Sequence, residues 1–191
     1  MSLPLEKGRY NFADSLTWSD SERIELIDGE AYMMATPSAV HQEILMELAR
    51  QLANFLEGKS CKVYPAPFGV RLFEGENHKP EDVDTVVEPD ISVVCDRSKL
   101  DKRGCKGAPD MIVEVLSPSS LRHDRLVKLN LYQQAGVREY WIIDPENRAV
   151  QVFLQDGSGS LRICEEYGSQ DVAKVNVLDG CFIELSKVFS E

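Results

Sequence analysis

Helical and strand periodicities that alternate along the chain predict an α/β (α+β) fold, a mixed β-sheet flanked by helices. Three observations carry this. An amphipathic segment spans residues 37–57. Two short apolar runs rich in β-branched residues follow, at 89–95 and 110–116, each of strand length. A second amphipathic segment, 121–135, then leads into the apolar run 140–144.

In chain order, the residues Ile24-Glu-Leu-Ile, Asp28-Gly29 and Glu30-Ala-Tyr-Met-Met34 spell a hairpin turned on Asp-Gly. Thr36-Pro37-Ser38 opens a helix, and Gly58 ends it. At roughly 100° per residue, Ile44, Leu45, Leu48, Leu52, Phe55 and Leu56 share its apolar face. His41 falls on that face, whereas Glu43 and Arg50 point away from it. Residues 62–73 read as one or two strands interrupted by Pro65 and Pro67, and 74–87 as an acidic, mobile loop. After the strand at 89–95, residues 96–107 form a basic loop with Arg97, Lys99, Lys102, Arg103 and Lys106. The strand at 110–116 precedes a helix capped by Ser119 or Ser120 and stopped by Gly136. Pro145-Glu-Asn147 turns the strand at 140–144 into another at 149–154, and short strands with a turn near 185–189 complete the chain.

At 191 residues the chain is long enough for one domain with a real core, here taken as 24–155 with C-terminal strands at 160–191. A net charge of −11 argues against a general nucleic-acid coat protein. No apolar stretch is long enough to span a bilayer, and the first residues lack a signal-peptide layout, so a cytoplasmic protein without a membrane partner is expected. The cysteines at 61, 95, 105, 164 and 181 form no C-x-x-C pair and read as reduced thiols. There is no Gly-rich phosphate loop and no nucleophile elbow.

Chemistry concentrates in residues 88–144. Asp90 opens one apolar strand and Glu114 interrupts another. A carboxylate there is costly to bury unless a cation or hydrogen-bond donors meet it. Two such carboxylates suit a hard divalent cation, which activates water for hydrolysis. On an α-helical spiral, Leu121, Asp124, Lys128, Leu131, Tyr132 and Ala135 share an arc of roughly 100°. Asp124 and Lys128 are thus charges on a sheet-facing stripe, where Lys128 can orient water or offset phosphoryl charge. Trp141 and Tyr140 read as core residues, and the loop at 97–106 as the cluster able to meet a phosphate backbone.

These segments resemble the Uma family of restriction-endonuclease-like proteins, bacterial members of the PD-(D/E)XK nuclease superfamily. The resemblance rests on Glu88-Pro-Asp-Ile-Ser-Val-Val94, on Gly107-Ala-Pro-Asp-Met-Ile-Val-Glu-Val-Leu-Ser-Pro-Ser-Ser120, on the Asp124–Lys128 pair and on YQQAGVREYWIID from Tyr132. The hairpin and the His41 helix share it. It implies a restriction-endonuclease-like core and Mg²⁺-dependent hydrolysis of DNA phosphodiesters, with Mn²⁺ as a substitute metal. Asp90 and Glu114 then match the metal-binding acids and Lys128 the catalytic lysine, and by their helical positions His41 and Asp124 are expected to support them. The superfamily pattern puts a lysine two residues after the second acid; Leu116 stands there instead, which moves that role to Lys128. DNA is the implied partner, with room for a homodimer. A catalytically degenerate module that binds nucleic acid or protein is the alternative. A glycosidase-like carboxylate pair is disfavoured, because the aromatics form no clustered sugar platform.

Overall fold

The computed structural model of the chain describes residues 8–18, 23–117 and 123–190, with all their side chains except those of 123–125. A short helix α1 (Phe12–Ser15) precedes a hairpin of β1 (Ile24–Ile27) and β2 (Glu30–Met33). Its turn is the expected one: Asp28 and Gly29 both take positive φ, 49° and 79°, the geometry that joins twisted strands through two residues.

Helix α2 (Ala39–Phe55) starts where Ser38 accepts a hydrogen bond from the His41 backbone, and a left-handed Gly58 follows its end. Strands β3 (Lys62–Pro65), β4 (Val70–Arg71) and β5 (Ile91–Val94) follow, then β6 (Leu100–Asp101), β7 (Gly104–Lys106) and β8 (Met111–Val115). Helix α3 (Leu129–Ala135) leads to β9 (Glu139–Asp144) and β10 (Ala149–Gln155). The chain closes with β11 (Leu161–Gly168), β12 (Val172–Val175), β13 (Cys181–Glu184) and α4 (Leu185–Val188).

The main sheet has the order β11-β10-β9-β8-β5-β3. Its β8–β9 pair is parallel and the other pairs are antiparallel, so it is mixed. A parallel pair needs a long crossover, supplied by the segment that carries α3. Strand alternation gives each face its own core. Ile91, Val93, Met111, Val113 and Trp141 meet the α2 stripe of Ile44, Leu45, Leu48 and Leu52. Ile112, Tyr140 and Ile142 meet Leu131 and Tyr132 on the other face. Fully burying each such leucine contributes about 1.5–3 kcal/mol, and Tyr140 and Trp141 are core residues as their sequence context predicts.

Four expectations need correction. Residues 74–87 are not a free acidic loop: they hold a 3₁₀ turn (Pro80–Asp82), Val83 and Val87 are buried, and Val86 and Val87 bridge to Leu26 and Val70. The acidic residues there alternate with apolar ones that have a core to enter. The basic loop contains β6 and β7, which join β4 in a three-stranded sheet. The stretch His123–Lys128 is π-helical rather than α-helical, so the 3.6-residue arc does not apply to it; Leu121 lies outside the described residues. Finally, Cys61 and Cys95 form a disulfide rather than two thiols. Antiparallel pairing of Lys62 with Val94 carries them opposite each other, a proximity that spacing along the chain does not reveal.

Candidate active site at the end of the central sheet

Strand register brings the two predicted carboxylates together. The β5–β8 ladder pairs Ile91 with Val113 and Ser92 with Ile112. One step further along that register, Asp90 stands opposite Glu114. Asp90 is anchored by the Val115 N–H, which donates to its Oδ2 at 2.8 Å. His41, at the start of α2, places Nε2 3.0 Å from the other oxygen, Oδ1. The helix packed on one face of the sheet thus orients the first acid. His41 Nδ1 is buried and without a hydrogen-bond partner among the described residues.

Glu114 is held from the crossover segment that follows its strand. Its Oε1 accepts from Lys128 Nζ at 2.9 Å and from the Tyr132 hydroxyl at 2.6 Å. Lys128 is 3% exposed, and it also donates to Glu25 Oε1 at 3.0 Å. Glu25 in turn accepts from the Glu88 N–H at 3.0 Å. Two buried carboxylates therefore share one ammonium, and the Tyr132 and Glu88 donors offset part of the remaining negative charge. Burial, reinforced by the charges of Glu114 and Glu25, pushes the Tyr132 phenol well above its ordinary range. Tyr132 is thereby held as a hydrogen-bond donor to Glu114.

Glu25, His41, Asp90, Glu114 and Lys128 all line one cleft of about 800 Å³. Of the predicted site residues, four converge there: Asp90, Glu114, Lys128 and His41. The Asp124 side chain lies outside the described residues. The basic residues of 97–106 do not line the cleft; Lys99 is tied to the Ala108 carbonyl and Lys106 lies 3.6 Å from Glu74. Glu43 is exposed, as its helical position predicts.

Glu25 and Tyr132 are the residues that sequence reasoning missed in this role. Tyr132 sits on the predicted stripe, and its partner Glu114 was the available signal. Glu25 gives almost none: in a four-residue hairpin strand, one acid among apolar residues reads as an outward position.

The donor chemistry fits a hard divalent cation of the Mg²⁺ kind, which is commonly held by one or two carboxylates and keeps several waters. Among the described residues no group of three or more His, Cys, Asp or Glu side chains is arranged to hold a metal ion. Asp90 and Glu114, on adjacent strands, are the carboxylates that would take part in holding one.

A family profile described as "Putative restriction endonuclease" (Uma2) matches residues 12–186. The chain belongs to the Uma2 family. Two Synechocystis sp. proteins are similar to this Uma2 chain. Uncharacterized protein slr1290 is 26% identical over 147 residues, 75% of this chain and 73% of that protein. Uncharacterized protein sll1609 is 25% identical over 151 residues, 78% of this chain and 81% of that protein. The fold is shared with the crystal structure of a "putative nuclease belonging to DUF820" from Anabaena variabilis, with a TM-score of 0.73 and 18% identity over 94% of this chain and 97% of that one. The architecture is therefore that of a restriction-endonuclease-like fold, and membership of the family supports a nuclease-like activity. Among the described residues no helix is long and apolar enough to cross a membrane.

Proposed function

We propose that this Uma2 chain is a Mg²⁺-dependent endonuclease that hydrolyses DNA phosphodiester bonds, with Mn²⁺ able to replace Mg²⁺. The supporting observation is the juxtaposition of Asp90, Glu114 and Lys128 on one cleft. Asp90 and Glu114 would hold the cation, which, when bound, lowers the pKa of water and neutralises charge on a phosphoryl oxygen.

The protein's own groups do the rest. His41 and the Val115 N–H hold the Asp90 carboxylate in one orientation. Glu25 fixes the Lys128 ammonium beside Glu114, so that a positive charge faces the place where negative charge develops in the transition state. Tyr132 fixes the Glu114 rotamer. Lys128 reaches this place from the helical crossover, and Leu116, at the position where the superfamily pattern has its lysine, is buried apolar surface.

The test is cleavage of supercoiled, linear and single-stranded DNA with Mg²⁺ or Mn²⁺ by the wild type and by Glu114→Ala and Lys128→Ala. Metal-dependent cutting that both variants lose supports the reading; cutting that survives in both is contamination. The alternative is a catalytically degenerate binding module. It is favoured by the net charge of −11 and by the pairing of Lys128 with two carboxylates. DNA binding with no cutting by the metal-loaded wild type would select it.

A further inference from the structure

The cleft has a second character besides its charged floor. One wall is the β1–β2 hairpin with the residues that follow it, and it is apolar and open to solvent. Tyr32, Met33 and Val40 are 36%, 68% and 54% exposed, and all three line the cleft. Pro37 and Pro145 extend that surface. Large apolar side chains grouped at the mouth of a cleft, rather than scattered, mark a binding surface.

Hairpin register ties this wall to the floor. Tyr32 is the cross-strand partner of Glu25, the residue that holds Lys128. Cross-strand partners share a face with Cβ atoms roughly 4.5–5.5 Å apart. Tyr32 therefore leaves the hairpin beside Glu25, on the same face, and its hydroxyl donates to Glu30 Oε2 at 2.8 Å.

This arrangement bears on the form of the nucleic acid, given the proposed nuclease reading on which it rests. A phosphate at the Asp90–Glu114–Lys128 floor leaves the neighbouring base next to Tyr32 and Met33. In an intact duplex the faces of that base are already stacked on other base pairs. An unpaired nucleotide has a free face, and such faces stack on aromatic side chains irrespective of sequence. We propose that the cleft takes an unstacked nucleotide, so that the substrate is single-stranded DNA or a single-stranded stretch within a duplex, with Tyr32 as the stacking platform and Met33 as its flank.

The experiment is fluorescence anisotropy of a labelled oligonucleotide, single-stranded and as a blunt duplex of the same sequence, with Ca²⁺ in place of Mg²⁺ so that the carboxylates keep a cation while cleavage does not intervene. It uses the full chain as wild type, Tyr32→Ala and Tyr32→Phe, each checked for folding by circular dichroism. The wild type is expected to bind the single strand more tightly than the duplex. Tyr32→Ala should weaken single-strand binding on the order of 5- to 100-fold, the range of one lost base–aromatic stack, while Tyr32→Phe stays within about twofold. Equal or tighter duplex binding overturns the inference, as does a folded Tyr32→Ala that binds the single strand normally. If Tyr32→Phe fails as badly as Tyr32→Ala, the hydroxyl bond to Glu30 matters rather than the ring, and stacking is wrong. The cleavage assay separates the two readings. Metal-dependent cutting with duplex-preferring binding sinks only the stacking inference. Single-strand preference without any cutting sinks only the nuclease. Failure to bind either form sinks both, and leaves the apolar lip to a protein partner.

Discussion

Lys128 Nζ lies 3.0 Å from Glu25 Oε1 although 103 positions separate the two residues in the chain. The contact joins the N-terminal hairpin to the helical crossover, directly above the Glu114 carboxylate. Three buried charges of unequal sign make this the most consequential electrostatic feature of the cleft.

Removing the lysine is therefore expected to cost more than removing one of its acids. Lys128→Met removes the ammonium that the buried Glu25 and Glu114 carboxylates share and should destabilise the fold by about 3–5 kcal/mol. Glu25→Gln keeps an oxygen acceptor and leaves Glu114 to balance Lys128, so its loss should be smaller. Urea unfolding of both variants measures this, and equal losses would show that the triad is not coupled as described.

Asp90→Asn and Glu114→Gln preserve size while removing the charge a divalent cation needs. Each should lower cleavage by at least about 100-fold and weaken Mg²⁺ or Mn²⁺ binding measured calorimetrically, with the circular dichroism spectrum intact. His41→Ala frees only one oxygen of Asp90. It should cost about 10–100-fold, the usual effect of removing a group that orients a metal ligand. Metal affinity unchanged in all three would place the cation elsewhere.

The thiols should divide into three classes. Cys164 is exposed, Cys105 and Cys181 are buried, and Cys61 is bonded to Cys95. Burial pushes the Cys105 and Cys181 thiols up to about 11 from 9.0. At pH 8 the folded chain should label only at Cys164. Denaturation should expose Cys105 and Cys181 as well, and reductant should then release Cys61 and Cys95. Because their folded values are raised, the stability these two thiols contribute is fully present below about pH 9 and is lost as pH rises through about 11. Melting temperatures across pH 8–11 should fall, and by less in Cys105→Ser, whose hydroxyl does not titrate there. Five reactive thiols after denaturation without reductant would remove the disulfide.

Gly104 has φ of 118°, and a Cβ there would lie 2.0 Å from the Gly69 carbonyl oxygen. The obstruction is backbone, which cannot rotate away, and it sits where β7 runs beside β4. Gly104→Ala should lose at least about 1–3 kcal/mol from backbone strain alone. Gly58→Ala provides the comparison: φ there is 73°, but an added Cβ would meet nothing within 4 Å, so the loss should be smaller. Thermal melts that rank the two in the reverse order would refute the steric account.

The sequence by itself determined the mixed sheet, the hairpin turn, the α2 stripe and the choice of Asp90 and Glu114 as acids set in apolar strands. Each of these is written in local periodicity, in turn chemistry, or in carboxylates placed within apolar strands, whereas the pairing of the two acids came from the β5–β8 register. Lys128 was also legible, although the α-helical arc used to find it does not apply where the segment winds as a π-helix. Tertiary structure alone decided what comes from far along the chain. Glu25 enters the site because the hairpin folds over the end of the sheet, and Cys61 meets Cys95 because β3 pairs with β5. The residues at 74–87 are tied down because Val83 and Val87 find a core to enter. Periodicity reports which face of an element is apolar, but not which distant element will cover it; partners of a buried charge are chosen by packing, and packing is a property of the assembled chain.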